Sequence, residues 1–209
     1  MLSVEENKKL CETNQGTIMG EYVRRFWIPF RLSSDVPEAD GAPIRVKLMG
    51  ENLLAFRNNK GHVGLIQSNC PHRWSDLFFG RNEEEGIRCT YHGWKFEVSG
   101  QCVDMPSEPA ASNFKDKVKL LSYPVEESGG VLWAYLGPIN SQPELPQLEW
   151  TLVPESRRVM AHFTLHCNWV QTLEGDVDSS HVGFLHRTNM RSSAGGATGY
   201  VEFDNAPLW

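Results

Sequence analysis

The chain has 209 residues, 40% of them apolar and 22% charged, and a formal net charge of −6; that leaves room for one large or two smaller domains with an ordinary core. The acidic balance argues against nonspecific nucleic-acid binding, and five scattered cysteines are too few for a disulfide framework. No basic start leads into an apolar stretch and no apolar run is long enough to cross a bilayer, so the expectation is a soluble, cytoplasmic protein with neither a nucleic-acid nor a membrane partner.

Residues 1–29 read as a helical lead-in. Tyr22, Val23, Phe26 and Trp27 fit one face of a short helix that Pro29 ends. From 30 to 140 the chain reads as short strands at 44–49, 53–57, 62–67, 87–89, 94–98, 101–105, 118–125 and 131–136, with turn signals at Asn58-Asn59-Lys60-Gly61 and Ser99-Gly100. This spacing predicts a small antiparallel β-sandwich or barrel. Glu83-Glu84-Glu85 reads as a solvated loop tip. Pro138, Pro143 and Pro146 mark a linker into a second region, 141–209. There 157–166 alternates as a strand with one apolar face, 169–186 reads as helix, and Tyr200-Val201-Glu202-Phe203 is strand-like. The fold class expected is α+β.

Two pairs of ligand-type residues stand out: Cys70-Pro71-His72-Arg73 and Cys89-Thr90-Tyr91-His92-Gly93-Trp94. Each sets one thiolate and one imidazole on a short loop at a strand end. The doublet resembles the Rieske iron–sulfur motif, and the resemblance implies that Cys70, His72, Cys89 and His92 hold a [2Fe-2S] cluster, two Cys on one iron and two His on the other. A Cys2His2 zinc site has the same ligand set, although a zinc finger carries both His on one helix after a hairpin, whereas here each Cys shares a loop with a His. Tyr91 and Ser75 stand where respiratory Rieske proteins carry an extra Cys, and Trp94 where they carry Ser, so the pattern is similar to the oxygenase and ferredoxin type. Trp74 occupies a position that is usually Gly in the oxygenase pattern, so the turn there is expected to differ.

A second constellation follows in Asn168-Trp169, Glu174, Asp178-Ser179-Ser180-His181 and His186. Asp-x-x-His-x4-His resembles the catalytic motif of Rieske non-haem iron oxygenases, in which two His bind one Fe(II) and a carboxylate from later in the chain completes the facial triad. The resemblance assigns His181 and His186 to that iron. It also gives Asp178 the role of bridging electron transfer to a cluster His, by analogy His92, of a neighbouring subunit in a homotrimer. His181 and His186 lie about 140° apart on a regular α-helix, so a distortion at Gly183 is expected to bring them to one metal. Asp204, the only Asp after Asp178, is too close to His186 to match the family's third ligand, which is therefore expected to be missing from these residues. His62, His162 and His166 are read as non-ligands, and nothing makes Cys102 a ligand.

The resemblance runs from about Asn14 to the end, and 91–96 with 174–186 bring it nearest to the phthalate 4,5-dioxygenase-like group. It implies a Rieske domain at 30–140 followed by the truncated start of a helix-grip α+β catalytic domain at 141–209. The implied function is that of an oxygenase (alpha) component taking NAD(P)H electrons from a reductase to activate O2 against an aromatic acid such as a phthalate-like substrate. A Rieske ferredoxin-type electron carrier, which needs only the first site, and a zinc-stabilised binding module are the other readings.

Overall fold

The structure, a computed structural model, describes residues 2–109 and 111–186. The strand-like piece at 200–203 and Asp204 lie outside the described residues. The chain divides into two compact units, one of residues 1–11 with 164–209 and one of residues 12–163. No helix among the described residues is long and apolar enough to cross a membrane.

The first unit opens with α1 (Val4–Cys11). The second begins with α2 (Ile18–Val23), capped by Thr17, whose hydroxyl accepts from the Gly20 N–H. Then come β1 (Trp27–Leu32), β2 (Ile44–Leu48), β3 (Glu51–Arg57), β4 (Val63–Gln67), β5 (Arg81–Glu83), β6 (Gly86–Arg88), β7 (Lys95–Glu97), β8 (Cys102–Asp104), β9 (Ser122–Tyr123), β10 (Val125–Ser128) and β11 (Val131–Tyr135). They form three antiparallel sheets, in the orders β1-β11-β10, β2-β3-β4-β9 and β5-β6-β7-β8. Among the described residues the first unit also holds α3 (Trp169–Val177) and α4 (Ser180–Leu185).

The middle sheet carries the packing. In β3 successive side chains point to opposite faces, and both faces are buried: Leu54 and Phe56 join one core cluster, Leu53 and Ala55 another. Ile66 and Leu65 of β4 divide in the same way. That explains the unbroken apolar run Leu53-Leu54-Ala55-Phe56, which one-sided burial would not need. The first cluster takes Ile87 and Phe96 from the third sheet together with Cys70 and Cys89; the second takes Leu132 and Ala134 from β11.

The strand expectations hold with shifted ends at 44–49, 53–57, 62–67, 87–89, 94–98, 101–105 and 131–136. Four expectations fail. The helix expected to run through Trp27 stops at Val23, and Trp27 and Phe30 are core residues of β1; this edge strand accepts Pro29 because the register shifts between Pro29 and Arg31. The single strand at 118–125 divides at Pro124 into β9 and β10, which belong to different sheets. Residues 157–166 form no strand, and Val159 and Phe163 are 96% and 87% exposed, because an alternating pattern without a paired neighbour gains no ladder hydrogen bonds. The helix over 169–186 breaks at Asp178 and Ser179, so the distortion expected at Gly183 is found upstream of His181 instead. β5 was not foreseen, since Arg-Asn-Glu carries no apolar alternation.

The Glu83-Glu84-Glu85 tip is solvated at Glu84 and Glu85, as expected, and is also ion-paired. Glu83 pairs with Arg81 and Arg88, Glu84 with Lys95, and Glu85 with Lys60.

Candidate metal centres

The two Cys/His loops are built alike. In the first, the Cys70 N–H donates to the Ser75 carbonyl at 2.8 Å and the Trp74 N–H to the Cys70 carbonyl at 2.9 Å. In the second, the Cys89 N–H donates to the Trp94 carbonyl at 2.9 Å and the Gly93 N–H to the Cys89 carbonyl at 3.0 Å. Each loop therefore closes four and five residues after its Cys, and each has a left-handed residue at the fourth position: Trp74 with φ 58° and Gly93 with φ 79°. Trp74 thus takes the left-handed conformation that Gly93 takes in the second loop. Trp74 adopts it as an exposed residue, with 68% of its surface accessible.

The loops bring like residues together. Cys70 and Cys89 are both 2% exposed, belong to the same core cluster and are close enough for one to raise the pKa of the other. Burial pushes the Cys70 thiol up to about 11; the neighbouring Cys89 adds to this, and the His72 and Arg73 N–H groups oppose it. Such a thiol pair ionises readily only when a cation sits against it. The His72 and His92 rings are 4.4 Å apart at 61°. Burial, then the charges of His92 and Arg73, hold His72 below its ordinary value, which favours the neutral imidazole that binds metals. Its Nδ1 is buried with no hydrogen-bond partner, an atom left available for a ligand bond.

Residues outside the motif brace the second loop. Arg88 donates to the Gly93 carbonyl at 2.6 Å and to Asp104 at 2.7 Å, and also pairs with Glu83. Trp94 lies parallel to His72, 4.4 Å away at 6°. Sequence reasoning gave neither residue a role; an Arg directly preceding Cys89 was the available signal. Cys102 shares this core, but its thiol donates to the Asp104 carbonyl at 3.5 Å. His162 sits 3.7 Å from Asp35.

In the other unit, the Asn168 side chain caps α3 by accepting from the Val170 N–H. Asp178 ends that helix, and its Oδ1 accepts from the Ser180 hydroxyl at 2.7 Å and the Ser180 N–H at 2.9 Å. These bonds hold its carboxyl below the usual carboxylate range, with smaller help from His181. Its Oδ2 lies 3.3 Å from His181 Nδ1. The His181 and His186 rings stand 5.4 Å apart at 69°. His186 is the C-cap of α4, and its backbone leaves helical geometry there, with φ −97° and ψ 7°. Among the described residues no three His, Cys, Asp or Glu side chains gather to hold one metal ion. The first site offers a thiol pair and an imidazole pair, and the second offers two imidazoles.

A family model for the Rieske [2Fe-2S] domain matches residues 26–124, and one for a LigXa C-terminal-like domain matches 134–202. The chain is 46% identical over 186 residues to the 3-chlorobenzoate-3,4-dioxygenase oxygenase subunit of Comamonas testosteroni, covering 89% of this chain and 43% of that one. It is 45% identical over 198 residues to the phthalate 4,5-dioxygenase oxygenase subunit of Pseudomonas putida, covering 94% and 45%. A crystal structure of dicamba monooxygenase with non-heme iron and dicamba is similar with a TM-score of 0.56 at 25% identity, over 64% of this chain and 40% of that one. The chain spans less than half the length of these relatives. A paired-thiol, paired-imidazole site with an available His72 nitrogen fits a [2Fe-2S] group, and with two matching domains in tandem the chain belongs to the Rieske non-haem iron oxygenases.

Proposed function

We propose that this chain serves in the oxygenase subunit of a Rieske aromatic-ring-hydroxylating system. A reductase supplies electrons from NAD(P)H, and the substrate is an aromatic acid of the phthalate or chlorobenzoate kind. The observation that carries the reading is the pairing of Cys70 with Cys89 and of His72 with His92 on two loops of one design. Cys70 and Cys89 hold one iron of the cluster, and His72 and His92 the other. His181 and His186 hold the mononuclear iron, with a carboxylate from outside the described residues as third ligand. When bound, the cluster passes single electrons and the Fe(II) activates O2.

The protein's own contribution is arrangement. The thiols are sunk in the core while the imidazoles are half-buried at its edge, so a cluster held here would be reached from its His side. Asp178, ionised and tied to Ser180, orients His181 through its second oxygen and is the bridge to a cluster His of a neighbouring subunit. This bridge supports a head-to-tail ring, most simply a homotrimer. Residues 30–140 form the cluster domain, and 141–209 begin the catalytic domain.

Iron and acid-labile sulfide analysis with EPR of the longest version of the gene product, reduced with dithionite, tests the assignment. Two irons and two sulfides with a Rieske-type signal are expected from the first site, plus one further iron from the second. A single colourless ion would refute the oxygenase reading; a cluster without the further iron would leave only the electron carrier. In an assay supplied with reductase, Asp178→Asn should abolish turnover while the cluster absorbance stays unchanged.

A further inference from the structure

We propose that Trp94 is a positioning residue that fixes the His72 imidazole for the cluster from across the two loops. The inference rests on the ligand assignment above. The indole and the imidazole lie nearly parallel, 4.4 Å apart at 6°, an offset stack that favours one ring orientation over its rotations. The His92 ring meets His72 at 4.4 Å and 61°. His72 is thus held between an aromatic face supplied by one loop residue and a ring edge supplied by another.

Hydrogen bonding does not do this at the ligand atom. Nδ1 of His72 is buried and makes no hydrogen bond. Metal-ligating His residues are ordinarily oriented by a hydrogen bond at their other nitrogen; the indole face adds orientation by contact.

Trp94 is itself rooted. It is 7% exposed and belongs to the core cluster with Phe96 and Met105. Its carbonyl accepts the Cys89 N–H at 2.9 Å, and Phe114 meets its ring edge-on at 6.1 Å and 76°. A large side chain with two torsions, locked at both backbone and ring, is a rigid reference surface. One residue therefore links three parts of the site: its backbone closes the Cys89 loop, its ring orients His72 of the other loop, and its far side joins the core.

The experiment compares the chain with its Trp94→Phe and Trp94→Leu variants, each reconstituted with iron and sulfide. The readouts are the line width and g-values of the reduced EPR signal, the half-life of the cluster absorbance in air, and the NMR shifts of the His72 ring protons before reconstitution. Trp94→Leu should broaden the signal and shorten the half-life roughly tenfold, the scale of losing a group that orients a ligand. It should also move the His72 ring protons downfield, out of the indole's shielding. Trp94→Phe, which keeps an aromatic face, should fall between. Far-UV circular dichroism establishes that each variant is folded, and Trp94→Phe provides the reading if Trp94→Leu is not. A folded Trp94→Leu chain with wild-type line width and half-life would overturn this proposal alone, as would a Trp94→Phe chain as impaired as Trp94→Leu with the ring protons unmoved. A wild-type chain that takes up no Rieske cluster would overturn the ligand assignment and this proposal with it.

Discussion

Replacing Gly93 by Ala asks whether the second loop needs its left-handed residue. Gly93 has φ 79°, and a Cβ built there would meet Cγ of Pro106 at 3.0 Å and its Cδ at 3.4 Å. Placing an L-residue in this conformation costs about 1–2 kcal/mol. The contact with Pro106 adds to that, because the proline ring is stiff and must shift by a few tenths of an ångström. For a chain of this size about 1–2 kcal/mol lowers the melting temperature by roughly 2–8 °C. Thermal melts followed by far-UV circular dichroism, with urea titrations as a check, measure it. The companion change, Trp74→Gly, should move stability by less than about 1 kcal/mol, since strain relief is offset by the greater freedom of an unfolded Gly and by loss of the ring's small buried part. A Gly93→Ala chain as stable as wild type would refute the claim that the two loops share one strained design.

Arg24 is 4% exposed; its Nη1 lies 2.6 Å from Glu51, and its Nη2 donates to the Met49 carbonyl at 3.0 Å. Arg24→Met strips a partner from a largely buried carboxylate and should cost about 3–5 kcal/mol in urea unfolding; a loss under 1 kcal/mol would mean water reaches Glu51. Acid should weaken the cluster domain through Glu83 and Asp76. Glu83 is held below the usual carboxylate range by hydrogen bonds from Arg88 and then Arg81; at Asp76 burial pulls the other way, but the Arg45 hydrogen bond, the Phe78 N–H and the Arg45 charge outweigh it. The folded state then binds fewer protons than the unfolded chain, so this stability is present above the ordinary carboxylate values and is lost as pH falls through the lowered ones. Urea midpoints between pH 6 and pH 3 should drop on the acid side, and Glu83→Gln should flatten the drop; an unchanged slope in that variant would show that Glu83 is not responsible.

The two Cys/His loops were legible because each carries its pair at a short spacing, Cys70 to His72 and Cys89 to His92. The central strands were legible because burial on both faces requires a run such as Leu53-Leu54-Ala55-Phe56. What stayed hidden depended on pairing. Nothing local says that Trp94 lies on His72, since the two are joined only when both loops are folded. β5 is made by its neighbour rather than by its own Arg-Asn-Glu, and Pro29 is tolerated only because β1 lies at an edge. The helix break was placed at Gly183 by a steric argument, whereas Asp178 and Ser180 make it by hydrogen bonding a side chain to the backbone.

The doubly covered middle sheet has a mechanical consequence. A slip of β3 by a single residue would send Leu54 and Phe56 to the far side and Leu53 and Ala55 to the near one, emptying both cores together. The shell around Cys70 and Cys89 therefore has no private stability. Its amide protons should exchange with deuterium at the same slow global rate as those of β11 on the opposite sheet.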